Sequence, residues 1–464
     1  MLTILALKEW RMALRSRTPA TILFSLLALL GIAYAGTRMQ QTALQQERTA
    51  ANAHFRAQWE QLEAGDPHSA AHFGTYIFKS PGTLSSFDKG LNDLSGYAMR
   101  VEAHVQHHMG TPPLRPADTY LRFGSLSMAG VLQLFFPLFI FFYCFNSYTQ
   151  EQSAGTLRLL LLQGADKPAI VRSKTILHLA VINGMLLISF LIYLPALLLN
   201  NSLSGGELLR AGLLALCYTC YCSLFVLLGM TVSARARNAR QSLLILAGIW
   251  LLWQVMTPRL SAAAGAALYP LPSQQALQEK IDKAIRMGIN GDEPREARAA
   301  RLQQELLNKY KVSDVRQLPV NFDALRMQAN EDYAALVYER YAAVSDSIIR
   351  RQNNISRYAA LLDPYLAIRS ISMALCGTDY LHQQDFDKAA RAYRNGFIRR
   401  LNEQLAYRGS ASQAFYRDMP PFRYQAPGVL TVLRSQGWAL LSLLLWLCLS
   451  VLLLNRSARH ELYV

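Results

Sequence analysis

The histidines of VEAHVQHHMG, His104, His107 and His108, stand at i, i+3 and i+4, a spacing that on a helix puts three imidazoles on one face beside Met109. Such a set suits a borderline metal such as copper or zinc. A solvated helix end capped by Gly110 explains the same residues without a metal, and we assign none there. Asp379 and His382 in GTDYLHQQDF are acid–base residue types. Their context reads as a helix start, with Thr378 or Asp379 as cap and Phe386 in the core. Cys217, Cys220 and Cys222 lie within an apolar run, where cysteines are small packing residues rather than a metal cluster. The chain has no Gly-rich phosphate loop followed by Lys and Ser/Thr, no zinc-protease helix and no nucleophile elbow. Any ATP used is therefore expected to be hydrolysed by another chain, with no catalytic residue and no cofactor bound here.

Polar side chains inside apolar runs form a second group of candidates. Gln133, Asn183, Ser189, Tyr218, Thr219 and Gln254 are the candidates for a translocation path, with His178 and Ser223 nearby in sequence. The competing role is hydrogen bonding between helices, which uncharged polar groups in a bilayer commonly adopt. None of these runs holds Asp, Glu, Lys or Arg at mid-depth, which argues against an ion-coupled pump.

The elements carrying these residues follow from composition. Of 464 residues, 52% are hydrophobic and 17% are charged, and mean hydropathy is +0.12. The apolar excess gathers in blocks long enough to cross a bilayer, which takes about 20 helical residues. Six spans are expected, at 18–35, 126–145, 174–199, 211–232, 242–257 and 433–454. The fifth is short, and the following RLSAAAGAALYP is read as an interfacial or re-entrant piece that completes it. Residues 1–17 alternate apolar and basic faces, as an amphipathic helix on a membrane surface does. A cleavable signal peptide ending at Ala33-Tyr34-Ala35 is the competing reading of the start. Cleavage would leave five spans and place the basic C-terminal RSARH outside, so an uncleaved anchor is preferred.

Basic residues mark one side of the membrane. Lys8, Arg11, Arg15 and Arg17 precede the first span. Arg158, Lys167 and Arg172 occupy the connection 146–173, Arg235, Arg237 and Arg240 the loop 233–241, and Arg456 and Arg459 the tail 455–464. The short NNSLSGGE connection has neither Lys nor Arg. Both termini are thus expected in the cytoplasm, leaving two large outer segments, 36–125 and 258–432. These read as mainly helical, from the unbroken Arg38–Glu63 stretch to a long run after Pro319. In that run Leu325, Tyr333, Leu336, Val337, Tyr341, Val344, Ile348 and Ile349 recur on one face. Much of the net charge of +16 sits in the short loops, as a bilayer requires, and calls for no nucleic acid.

The connection EQSAGTLRLLLLQGADKPAIVRSK resembles the one in ABC-2-type transport permeases. Glu151, Gly155, Thr156, Leu157, Leu160 and Lys174 hold the matching positions. In that family the short helix docks on a separate nucleotide-binding subunit. Ser153 stands where relatives often have a second acid, and Gly164 where proline is common. DPYLAIRSISMALCGTDYLHQQDFDKAARAYRNGFIRRLNEQ and PPFRYQAPGVL resemble a bacterial subfamily with a large extracytoplasmic domain of unassigned function between the last two spans. The resemblance implies an all-α permease subunit of the inner membrane, working with an ATPase that binds ATP and Mg, and with a second permease, the same or a related chain. Membrane lipid surrounds it, and a periplasmic partner is implied for the alternative in which the outer helices transmit motion rather than pass a substrate. A receptor or scaffold is the third and weaker class.

Overall fold

The computed structural model describes residues 2–107, 126–198 and 204–460. Six helices are long and apolar enough to cross a membrane: Thr18–Glu60, Met128–Ser153, Lys167–Pro195, Gly205–Arg235, Ala239–Leu268 and Gly437–Ala458. The chain is an almost wholly helical membrane protein. The lead helix Leu2–Arg15 buries Leu5 and Glu9 and exposes Leu7, Trp10 and Leu14, the two-faced pattern expected of a helix on a membrane surface.

The fourth span is the hub. Its apolar residues run round the whole helix, and it packs against the second, third and sixth spans and the outer helix Pro364–Cys376. Gly229 allows the closest approach: a Cβ there would lie 2.7 Å from the Cβ of Cys144 on the second span. Cys144 and Cys222 are buried packing residues.

Two spans depart from their expected outlines. The first does not stop near residue 35 but continues as one 43-residue helix to Glu60. The Arg38–Glu63 stretch has no Gly or Pro to break it, so the span and the outer helix are one rod. In the fifth, residues 259–268 are not re-entrant. They prolong the span beyond a π-helical turn at Leu252–Met256 and pack on the long outer helix Phe322–Ala359. Pro258 fits because it falls in the first turn after that π turn, where a missing N–H costs little.

The two outer segments share a core. Trp59, at the far end of the first span's helix, packs with Ala71, Ile77, Met99 and Val101 from the first segment and with Phe386, Phe397, Leu401 and Tyr416 from the second. Its indole Nε1 donates to the Tyr416 carbonyl at 3.0 Å. The first segment is less helical than its sequence suggests. It holds a two-stranded antiparallel sheet, β1 (Thr75–Phe78) and β2 (Ala98–Val101), with Thr75 opposite Val101. The long run after Pro319 is the expected helix, with Val337 fully buried and Leu336 and Val344 half exposed.

At the junction between that helix and Pro364–Cys376, Asp363 caps the second helix by accepting from the Tyr365 N–H at 2.9 Å. Its Oδ2 is buried without a hydrogen-bond partner. Burial pushes the carboxyl up to about 7. A pKa raised in the folded state means stability that is full below about 4, where the unfolded carboxyl is also protonated, and that falls as pH rises through about 7. Asp363→Asn keeps the cap acceptor and removes the charge. It should therefore raise the melting temperature most at pH 8, by a shrinking amount as pH falls from about 7, and hardly at all at or below about pH 4, as measured by thermal unfolding in detergent.

Candidate functional site

The connection after the second span breaks into two short helices at Gly155. Gly155 has φ +70°, the left-handed region that glycine enters without penalty, and this turn aims the helix Thr156–Leu162 away from the span. No side chain crowds the site of a Cβ, so glycine is needed here for its backbone alone. Leu157 is buried and anchors the helix, and Leu160 is half-buried. Gly155, Thr156, Leu159 and Leu162 face out, with Leu159 57% and Leu162 76% exposed.

Glu151 is 5% exposed, so it is an internal strut and not part of that outward face. Lys8 Nζ donates to its Oε1 at 2.6 Å, and Lys174 Nζ lies 3.1 Å from the same oxygen. Lys174 also reaches both carboxylate oxygens of Glu9 at 3.1 Å, and Lys8 stands 3.3 Å from Glu9. Two cations and two carboxylates thus neutralise one another. They come from the lead helix, the end of the second span and the start of the third. Burial opposes the charge on Lys8, but the hydrogen bond and attraction of Glu151, with Glu9 beside it, outweigh this and raise its pKa above the ordinary lysine value. The sequence singled out Glu151 and Lys174 but not Lys8 and Glu9. Those two lie 143 and 165 residues from their partners, and only the fold brings them together.

The polar residues of the spans form hydrogen-bonded links. Gln133 Nε2 donates to the Tyr218 hydroxyl at 2.7 Å, and Tyr218 meets Ser372 Oγ at 3.1 Å. Ser372 in turn donates to Asp88 Oδ2 at 2.5 Å. Asp88, buried where the bundle meets the outer segments, is pushed above the usual carboxylate range by burial, against the hydrogen bonds from Ser372 and Gly90. Tyr221, which the sequence did not single out, donates to the Gln133 carbonyl at 2.9 Å and accepts from Gln254 Nε2 at 2.9 Å. Gln133 and Gln254 sit in the π-helical turns of the second and fifth spans, so one hydroxyl joins both irregular turns. Asn183 bonds Leu179 O and Ser223 on the fourth span, Ser189 bonds its own helix, and Thr219 is half-buried. His178 is held by Lys174 O and Ser147.

A cleft of about 690 Å³ opens where the bundle meets the outer domain. None of the six path candidates lines it. Arg48, Lys79, Lys89 and Arg210 stand around Phe78, Tyr97, Phe422 and Tyr424, with Glu207 the acid among them. Burial lowers Lys79 to about 8 despite Asp387 and Asp379, while its ammonium donates to Gln383 at 2.6 Å. A basic rim around aromatic walls suits an anionic, amphipathic compound. His382 also lines this cleft, but its Nδ1 is tied to Asp379 at 2.5 Å. Asp379 caps the helix Tyr380–Arg408 and Phe386 is fully buried, so the pair is a helix start.

His104 and His107 of VEAHVQHHMG do not lie on a helix. His104 has φ +62° and follows β2 in an irregular turn, His107 is paired with Glu102, and His108 lies outside the described residues. The β2 strand ends at Val101, and the chain then turns irregularly rather than continuing as a helix. His104 instead meets His68 and His72.

Residues 273–425 match the family model of a domain of unknown function, DUF3526. No curated protein matches the chain.

Removing one partner of a buried ion cluster leaves the others uncompensated, at a cost of about 3–5 kcal/mol. Lys174→Met should lower the thermal stability of the purified protein sharply. Adding Glu9→Gln should restore part of the loss, since the double variant removes one charge of each sign. A double-mutant cycle on melting temperature measures that coupling.

Proposed function

We propose that the chain is the membrane subunit of an ATP-driven transporter of the ABC-2 permease type, exporting a substrate across the bacterial inner membrane, with both termini in the cytoplasm. ATP and Mg are held by a separate ATPase, which docks on the outward face of Thr156–Leu162. A second permease, the same or a related chain, completes the pathway. The observation that carries this reading is the pairing of an exposed leucine face with the buried Glu151–Lys174–Glu9–Lys8 cluster behind it. A soluble partner gains by covering Leu159 and Leu162. A push on their helix passes through the Gly155 turn to Glu151, and from there the cluster ties the second span, the third span and the lead helix together. Glu151 therefore transmits force and is not itself a docking residue. The basic, aromatic cleft at the outer end is the place for an anionic substrate to gather.

One observation favours the second reading, transmission of motion to an envelope partner without passage of substrate. The first span and its outer helix form one rod whose tip, Trp59, is locked into the outer core, and Gln133, Asn183, Ser189, Tyr218 and Gln254 are all hydrogen-bonded within the packed bundle.

Leu159→Asp with Leu162→Asp should abolish co-purification of the ATPase, while the variant protein stays folded because both residues are exposed. Undiminished co-purification would reject the docking face. Trp59→Ala separates the two readings. Transmission predicts that the variant binds its ATPase and loses the envelope activity, whereas transport predicts that substrate-stimulated ATPase activity in vesicles survives.

A further inference from the structure

Three imidazoles gather on the outer domain, far in sequence from the ATPase-facing connection. His68 and His72 lie one turn apart on the short helix Pro67–Phe73, with their Nε2 atoms 3.1 Å apart. His104 completes the group, its ring centroid 5.5 Å from that of His68 and 5.2 Å from that of His72. One ligand nitrogen from each ring lies within 4.8 Å of those of the other two.

The framework under these rings is rigid. Asp66 caps the helix through the N–H groups of His68 and Ser69, and Ala70 and Ala71 are buried in the shared outer core. The Ala103 N–H donates to the Ala71 carbonyl at 3.0 Å, which fixes the strand end carrying His104 to the helix carrying the other two.

His104 is oriented in the manner of a metal ligand. Its backbone N–H donates to Glu331 Oε1 at 2.7 Å, and its Nδ1 lies 3.0 Å from the same oxygen. Arg394 Nη1 holds the other carboxylate oxygen at 2.5 Å, and both Glu331 and Arg394 are buried. A carboxylate on Nδ1 selects the tautomer whose Nε2 is a lone-pair donor and raises that donor's basicity. The left-handed backbone at His104 is an uncommon conformation for a residue with a side chain, retained here where it sets that ring beside the pair.

We propose that His68, His72 and His104 form a binding site for one divalent cation of the zinc and copper class. Neutral imidazoles select such borderline ions over magnesium or calcium, which prefer oxygen. Zinc–nitrogen bonds of about 2.0–2.1 Å set tetrahedral ligands roughly 3.3 Å apart, close to the spacing of the His68–His72 pair. Small rotations of the exposed His72 and His104 rings close the remaining gap. Three protein ligands with solvent on one side leave a fourth position for water or for a group carried by a partner. The ion would also join the two outer segments, since its ligands come from the first and the residues that orient His104 come from the second. The site stands apart from the proposed coupling to an ATPase and does not depend on it.

The test uses the full chain in detergent, stripped with a chelator and titrated with Zn²⁺ against a chromophoric competitor. The expected result is one equivalent bound, undisturbed by a large excess of Mg²⁺. Loss of an outer hydrogen-bond partner alone weakens metal sites about 10–100-fold, so His72→Ala and His68→Gln should each weaken binding by about a hundredfold or more. His107→Ala should leave it unchanged. His72 is exposed, so its variant should keep the melting temperature of the metal-free protein, which separates lost ligation from lost folding. With Cu²⁺ as probe, nitrogen couplings in the electron paramagnetic resonance spectrum should fall from three to two in His72→Ala. The proposal is overturned by a wild-type titration without a stoichiometric step, by His68 and His72 variants that bind as tightly as wild type, or by an equal loss in His107→Ala.

Discussion

Charge buried at the inner end of the bundle is the constraint on which the rest depends. A carboxylate or ammonium moved out of water costs several kcal/mol unless it is paired and hydrogen-bonded. Glu9, Glu151 and Lys174 are each at most 6% exposed, so none of the three tolerates separation from the others. The cluster consequently sets where the lead helix lies, where the second span ends and where the third begins. The turn at Gly155 follows from this. Once Glu151 is held inward, the chain must reverse within a few residues to present a helix outside, and a left-handed residue does so in one step.

The outer end is held by different physics. There the links are apolar contacts and neutral hydrogen bonds, with Asp88 the buried acid among Ser372, Gln133 and the Gly90 N–H. The outer core around Trp59 needs both outer segments, and the first span's helix enters it directly. Movement of that helix at either membrane surface must therefore be felt at the other. An α-helix of this length bends gently but does not shorten, because every turn has its own hydrogen bonds.

The six apolar spans and the long helix after Pro319 were legible in the sequence, because each rests on local periodicity. What escaped was long-range. Lys8 and Glu9 looked like part of a basic surface helix, since nothing local says that a partner 143 or 165 residues away neutralises them. For Gln133, Tyr218 and Gln254 the sequence offered both a path and hydrogen bonding between helices; they are bonded to other helices, and which partners they take depends on helix rotation, which is invisible to hydropathy. His104 and His107 misled because helical spacing was assumed where the chain leaves β2 in an irregular turn, with His104 left-handed. The i, i+4 pair His68 and His72 sat in plain view, yet its third member is assembled by the fold.

The two π-helical turns show how a bundle locked at both ends can still move. A π turn widens the ladder by one residue and leaves backbone groups less well paired than in an α-helix. Val131–Phe135 and Leu252–Met256 lie on the second and fifth spans, which pack on the fourth and on each other, and Tyr221 of the fourth span bonds both through one hydroxyl. The fourth span is the most buried of the six, so it is the element least free to shift alone. Rotation of either neighbour is then most easily absorbed at its own π turn, where ladder bonds are already compromised, and the Tyr221 hydroxyl makes a change at one turn felt at the other. Rigid ends with paired irregularities at one depth describe a bundle that hinges in its middle. That is the mechanical property that both proposed readings require.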